Sequence, residues 1–558
     1  VTGYVRALAL RIPLALLFSQ CAIQSTYALA ESTGRGGSNV NSLHELGLTG
    51  EGVNVGVILG RNVRITHEAF RDANGVSRAF NYDFSGDGIA ISSHDTQLAG
   101  IIASRGGIGF PNDIGAAPGA DIHCARVADD NDIISSTYIA AALDGLVGVH
   151  NCRVITTGFA LGNLDPNGQS FWDLLYDYYA YEHDVLFANA AGNNGSTLTV
   201  FADVFNGITT GGLILNDPCD TYRRVGSISG SGPTSDGRRK PDITAPVQNQ
   251  TVPTSSSDTA WTTVGTTAGE TSYSVPHTAG VAAVLLDAAD STPNPDDGRN
   301  EMIRVVIVNS VFPNIDDKPG SQTNPADPNN TWHPDRGYGG IDALRAYELL
   351  DSNEVVPDVN IDQQRGWGFG TVGPGQQRTY KIKIAKQCRL IATLVWNRRV
   401  EWIDEKRGVP PRTNEIIEPG ELHPYLANLD MIVYSPDEAD PIFNEQLFGL
   451  NPDDNLEKCD LLISAPGEYD VVIANSSGND ETADYGFAFE LHPLLVGDFT
   501  PLDYAVDYTD LRALALQWLG DDQDSELTLV PDGIVNFLDF AVFADNWLQI
   551  DAAYYQQP

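Results

Sequence analysis

The sequence predicts an α/β protein in three parts: a three-layer unit built on a central parallel sheet, then an antiparallel β-sandwich, then a small α-helical repeat unit. Three observations carry that expectation. The 558 residues exceed one domain of roughly 100–200 residues. Short apolar runs opening into Gly or Asn alternate with helical periodicity over the first part of the chain. Past residue 366 the pattern changes to short alternating runs between Pro, Gly and Asp turns, and the last 62 residues hold twelve acids against one base, Arg512.

Residues 1–30 read as a secretory leader. Arg6 and Arg11 precede the bulk of an apolar run, Ile12 to Phe18, and Ala28-Leu29-Ala30 has the small-x-small pattern of a signal-peptidase site. That run is much shorter than the ~20 residues that cross a bilayer, and no later segment looks like a span. The expectation is a secreted or extracytoplasmic mature chain without a membrane span.

The α/β unit is expected over residues 31–355. Residues 53–59 (VNVGVIL) and 185–191 (VLFANAA) lack strict alternation, as strands buried on both faces do. Residues 133–147 carry apolar positions at helical spacing and 152–157 (CRVITT) read as the next strand, a βαβ rhythm. Residues 276–287, opened by Pro276, read as a buried Ala-rich helix. Asp and Pro crowd residues 291–298 and 312–335, which read as surface loops.

The sandwich is expected over 366–493, with strands at 379–384, 390–396, 430–434 and 468–474. The helical unit, 497–551, contains a repeat: Asp507-Tyr508-Thr509-Asp510 leading to Gln517-Trp518-Leu519 returns, with a period of 29, as Asn536-Phe537-Leu538-Asp539 leading to Asn546-Trp547-Leu548. The two helices should pack through Trp518 and Trp547. Before the second, Asp532, Asn536 and Asp539 fall on oxygen-donor positions of an incomplete calcium loop whose first donor positions hold Thr528 and Val530. Calcium ligands and helix caps in a solvated acidic pair are both open readings of these residues.

Against 33 Lys plus Arg stand 74 Asp plus Glu, a net charge of −41, which disfavours nucleic acid and anionic membrane surfaces as partners. Without the leader five cysteines remain, Cys124, Cys152, Cys219, Cys388 and Cys459. An odd count leaves at least one thiol unbridged. Cys388 and Cys459 share the later unit and are the candidate pair.

Three separated residues carry the chemistry. His94 lies in SSHDTQLAG, Asn193 in ANAAGNNG at a strand end, and Ser272 in ETSYSVPHTAG just before a helix. Acyl transfer needs a nucleophile, a base for its proton, and a donor aimed at the developing oxyanion. A serine ahead of a helix also draws on unpaired amides and the positive end of the dipole. Singly, each residue has a plain structural explanation as a cap, a loop base or a turn former.

Together with their flanks they resemble another set. Residues 44 to about 347 are similar to the peptidase domain of the subtilisin-like serine proteases: LGLTGEGVNVGVI resembles the segment before that family's catalytic Asp, HDTQLAG its HGTHVAG, AAGNNG its oxyanion Asn segment, and TSYSVPHTAG its TSMAAPHVAG. The resemblance implies peptide-bond hydrolysis through an acyl-enzyme, with Ser272 as nucleophile, His94 as base and Asn193 as oxyanion donor, and with no cofactor required. In TTGFALG, Gly158, Phe159 and Ala160 take the places of Ser, Leu and Gly in the family's substrate-pairing segment. Residues 391–474 resemble the β-sandwich that follows many bacterial subtilase domains, and the tail resembles degenerate dockerin-like repeats of planctomycete type. A protein or peptide substrate and an extracellular or cell-surface partner for the C-terminal units are implied.

The departures fall on the same site. Leu59 stands where the family has its catalytic Asp, and a methyl-ended side chain cannot orient an imidazole. In subtilisin, loss of that Asp alone costs roughly 3 × 10⁴ in turnover. Asp95 follows His94 directly but, on a helix, is expected to face elsewhere; Asp83 and Asp87 would need an unusual path. Glu270 replaces a Gly and brings negative charge toward the oxyanion region, and Gln97 replaces the family's second His. A weak endopeptidase and a pseudopeptidase that binds protein or glycan are the two expected outcomes.

Overall fold

A computed structural model describes residues 29–493, except 160, 162–163, 217–220, 267, 314, 319–330, 404–420, 437–439, 445–453, 477 and 479–480, together with residues 511, 540 and 542. The expected helical repeat, its calcium loop and Cys219 lie outside the described residues, as does the expected leader except its last two positions. Those two begin a short helix, Leu29–Thr33, in which the Leu29 N–H donates to Asp113 at 2.8 Å.

The parallel sheet runs in the spatial order Ile243–Pro246, Gly207–Asn216, Leu186–Ala190, Val154–Thr157, Asn54–Leu59, Asp121–Arg126 and Ala79–Asp83. Thr221–Val225 adds an antiparallel strand against Gly207–Asn216. The side-chain period of two explains why both faces of Asn54–Leu59 are apolar. Val55, Val57 and Leu59 enter one core with Leu98, Val281 and Ile303, while Ile58 enters another with Ile139, Leu143 and Tyr176. Helices Ser93–Ala103, Val275–Asp290, Asn300–Asn309 and Ala343–Leu350 supply the first core, and Ser136–Leu143 and Phe171–His183 the second, which makes three layers.

Two elements differ from the expected pattern. The helix expected over 133–147 is regular only at Ser136–Leu143 and then widens into a π turn, Asp144–Val149, where Gly145 packs under the Phe84 ring. Strand Asp121–Arg126 (DIHCAR) pairs with both Asn54–Leu59 and Ala79–Asp83 although it is no apolar run. Its polar residues find partners from elsewhere: Tyr82 bonds the His123 ring at 3.0 Å, and buried Arg126 donates to Gly88 and Asp130, each at 2.7 Å.

The expected sandwich strands are Gln377–Ile384, Cys388–Trp396, Leu429–Tyr434 and Gly467–Asn475. One sheet runs Asn360–Ile361, Gln377–Ile384, Gly467–Asn475, Leu429–Tyr434, Pro441–Asn444; the facing sheet runs Arg365–Val372, Ala483–Pro493, Cys388–Trp396, Leu456–Ile463. Tyr380, Leu390, Val471 and Phe487 lie in the core between them. The candidate Cys388–Cys459 pair is not bridged. Cys459 lies opposite Ala392, four residues along the strand from Cys388, a separation of about 13 Å against the ~6 Å that a disulfide spans.

The sandwich is joined to the α/β unit by buried polar contacts. Arg398 donates through Nε and Nη2 to Asp177, and its backbone exchanges two 2.7 Å hydrogen bonds with the Asn206 side chain. Phe205 lies between the guanidinium groups of Arg238 and Arg398, 3.7 and 3.9 Å from its ring centre. Arg304 reaches Asn397 at 2.7 Å, and Lys458 donates to Val308 at 2.8 Å. Among the described residues no helix is long and apolar enough to cross a membrane.

Glu490, paired with Arg345 at 3.2 Å, makes this junction pH-dependent. Burial pushes its carboxyl up, Arg345 and His492 together pull it down further, and it settles at about 2 against an ordinary 4.5. A carboxyl held low when folded contributes stability above pH 4.5 and loses it as the pH falls toward 2, on the order of 3 kcal/mol in all. Glu490→Gln is therefore expected to lower stability at pH 7 by about that amount and to flatten the decline between pH 4.5 and 2, measured by urea unfolding across pH. An unchanged acid slope would contradict the assignment.

Candidate active site

Helix Ser93–Ala103 starts at a strong cap: Ser92 is extended, and its Oγ accepts the Asp95 N–H at 3.3 Å. His94 therefore sits in the first turn. Ser272 lies in a tight 3₁₀ turn, Thr271–Tyr273, that leads into helix Val275–Asp290, with Pro276 in that helix's first turn. The two helices pack on each other over the same sheet face.

This packing brings together residues 178 apart in sequence: His94 Nε2 lies 3.1 Å from Ser272 Oγ. The other ring nitrogen also has a partner. His94 Nδ1 lies 3.1 Å from Asp95 Oδ1. The expectation that Asp95 faces away from its neighbour is thus incorrect. Side chains of a first turn lean toward the helix N-terminus, and there Asp95 Oδ2 accepts the Arg61 N–H at 2.7 Å, which draws the carboxylate under the imidazole. The His94 side chain is 39% exposed and that of Asp95 7%, so solvent reaches the imidazole while the carboxylate is enclosed. Asp83 and Asp87 are engaged away from His94: Asp83 accepts from Ser85, Gly86 and Gly88 of its own loop, and Asp87 from the Asp130 N–H of another.

Asn193 is exposed, and its Oδ1 accepts from both the N–H and the hydroxyl of Thr271, at 2.7 and 2.9 Å. With the oxygen fixed on the residue before Ser272, the amide nitrogen is left as a donor for an incoming acceptor. The sequence signals Thr271 only as a hydroxyl beside Ser272. Both Glu270 carboxylate oxygens accept from Thr266, at 3.0–3.2 Å. Gln97 accepts from the Tyr273 hydroxyl at 3.1 Å, and the Tyr273 ring lies 5.7 Å from that of His94.

Leu59 ends its strand fully buried. A Cβ on Gly158 would come within 2.7 Å of Leu59 and 2.8 Å of Leu98, so the three residues close an apolar contact. Phe159 is half-buried, edge-on to Phe201 at 6.1 Å; Ala160 lies outside the described residues. Among the described residues no group of three or more His, Cys, Asp or Glu is placed to hold a metal ion, and the candidate calcium ligands Asp532, Asn536 and Asp539 lie outside them.

The peptidase S8 model of the subtilase family matches residues 50–368. Membrane-bound transcription factor site-1 proteases of Homo sapiens and Rattus norvegicus are each 28% identical over 205 residues, 36% of this chain and 18% of the relative. The chain thus spans less than a fifth of the length of these curated relatives. Among solved structures, the prenylagaramide maturation protease aligns at 21% identity and a TM-score of 0.41, covering 56% of this chain and 98% of that one. A cold-adapted subtilisin-like serine proteinase aligns at 21% and 0.36, covering 48% and 85%.

The Leu59–Gly158 contact is testable by stability alone. Gly158→Ser is expected to cost about 1–3 kcal/mol by overpacking. Leu59→Ala in the same chain should remove most of that cost, so a double-mutant cycle by chemical denaturation should show coupling; purely additive costs would refute the contact.

Proposed function

The chain belongs to the subtilase family, and from that premise we propose that it is an exported serine endopeptidase acting on protein or peptide substrates. The observation that carries this reading is the 3.1 Å approach of His94 Nε2 to Ser272 Oγ. In this reading Ser272 Oγ attacks the substrate carbonyl as His94 Nε2 takes its proton. The oxyanion that forms accepts from the Asn193 amide, which Thr271 holds from behind. His94 then passes its proton to the leaving amine, and water, activated by the same nitrogen, releases the acyl group. The reaction itself draws on no metal or cofactor, and calcium, where carried, belongs to the acidic tail. Export rests on the composition of residues 1–30, and Phe159 is the described residue of the segment proposed to pair with substrate.

A second reading, a binding protein that has lost hydrolysis, is favoured by Leu59 at the family's carboxylate position. Labelling with a fluorophosphonate separates the two. The wild-type protein is expected to be modified at Ser272, located by peptide mapping, and to cleave internally quenched peptides, and Ser272→Ala to do neither. Asn193→Ala should lower kcat by about 10²–10³ with little change in KM. A folded wild-type protein that resists labelling would leave the binding reading.

A further inference from the structure

We propose that Asp95 is the positioning carboxylate for His94, replacing at the start of a helix the function that the family builds at the end of a strand. The inference rests on the proposed peptidase reading for its catalytic consequence, and on geometry for the contact. Four features converge on it. First, Asp95 Oδ1 lies 3.1 Å from the ring nitrogen opposite the one that faces Ser272, the place where an imidazolium needs a negative partner. Second, the carboxylate has been released from the usual task of its position. Asp95 stands three residues after the Ser92 cap, where an acidic side chain ordinarily reaches back to the N–H of the cap residue. Here the Ser92 N–H donates instead to the Asn62 carbonyl at 3.0 Å, which leaves both carboxylate oxygens for other partners.

Third, the strand end has exchanged roles. Two residues beyond the position where the family presents a carboxylate, this chain presents a donor, the Arg61 N–H at 2.7 Å from Asp95 Oδ2. The Arg61 guanidinium is engaged elsewhere, with Asp132 and the Asp129 carbonyl. Fourth, the old position is sealed by Leu59, Leu98 and Gly158 in contact, with no space for a charged group or its hydrogen bonds. The enclosed carboxylate fixes the tautomer with the proton on Nδ1, leaves Nε2 as the acceptor for the Ser272 proton, and stabilises the imidazolium that forms.

Asp95→Asn tests this without dismantling the turn, because the amide oxygen still accepts from Arg61 while the amide nitrogen now faces His94 Nδ1 as a donor and selects the wrong tautomer. The expected result is a fall of about 10³–10⁴ in kcat and in fluorophosphonate labelling rate, with KM and thermal midpoint nearly unchanged. An undiminished rate would overturn the proposal. A second measurement is independent of turnover: in the Ser272→Ala protein the proton spectrum should contain a strongly deshielded resonance from His94 Nδ1–H, absent after His94→Ala and after Asp95→Asn. Persistence of that resonance in Asp95→Asn would overturn the proposal even if the wild-type protein proved unable to label. Its loss there would sustain the Asp95–His94 link while the labelling failure counted against the peptidase reading alone.

Discussion

Everything at the site depends on the packing of helices Ser93–Ala103 and Val275–Asp290 against each other on one face of the parallel sheet. The second of these lies so deep that Gly280 has no room for a side chain: a Cβ there would stand 2.4 Å from that of Ala116. Close packing of this kind transmits position. The first turns of the two helices are held by this packing and by the hydrogen bond from the Tyr273 hydroxyl to Gln97, and the His94–Ser272 distance follows from both.

The same face explains how a carboxylate could change its place of origin. A strand end and the start of a neighbouring helix meet at the carboxyl ends of the strands, so each can supply either the carboxylate or the N–H that holds it. With Leu59 committed to the core, the strand end keeps only its backbone donor at Arg61, and the helix supplies the charge through Asp95. The substitution at position 59 and that at position 158 belong together physically, since the small residue accommodates the large one.

The sandwich is held to the α/β unit by a buried polar junction. Its junction buries Arg398, Arg304, Arg345 and Lys458 among carboxylates and backbone carbonyls. Breaking one partner of such a set strands a buried charge, a loss of about 3–5 kcal/mol. The sandwich is thereby a structural extension of the α/β unit, with helix Asn300–Asn309 shared between the two.

Much of this was legible in the sequence. Apolar runs and periodicity located the strands at 53–59, 152–157 and 185–191 and the helix at 276–287 because those signals are local. The types of three residues, His94, Asn193 and Ser272, singled them out for the same reason: nucleophile, base and amide donor are properties of side chains. Strand Asp121–Arg126 was not legible, since His123 and Arg126 take partners, Tyr82 and Gly88, from about forty residues earlier in the chain. Cys388 and Cys459 failed as a pair because strand register is set by a partner strand. Asp95 is the sharpest case. The sequence alone determined that position 59 holds no carboxylate and that an aspartate follows His94. Only the tertiary structure decided that this aspartate turns to the imidazole, because the Asn62 carbonyl and the Arg61 N–H, which free it and aim it, come from a loop some thirty residues earlier.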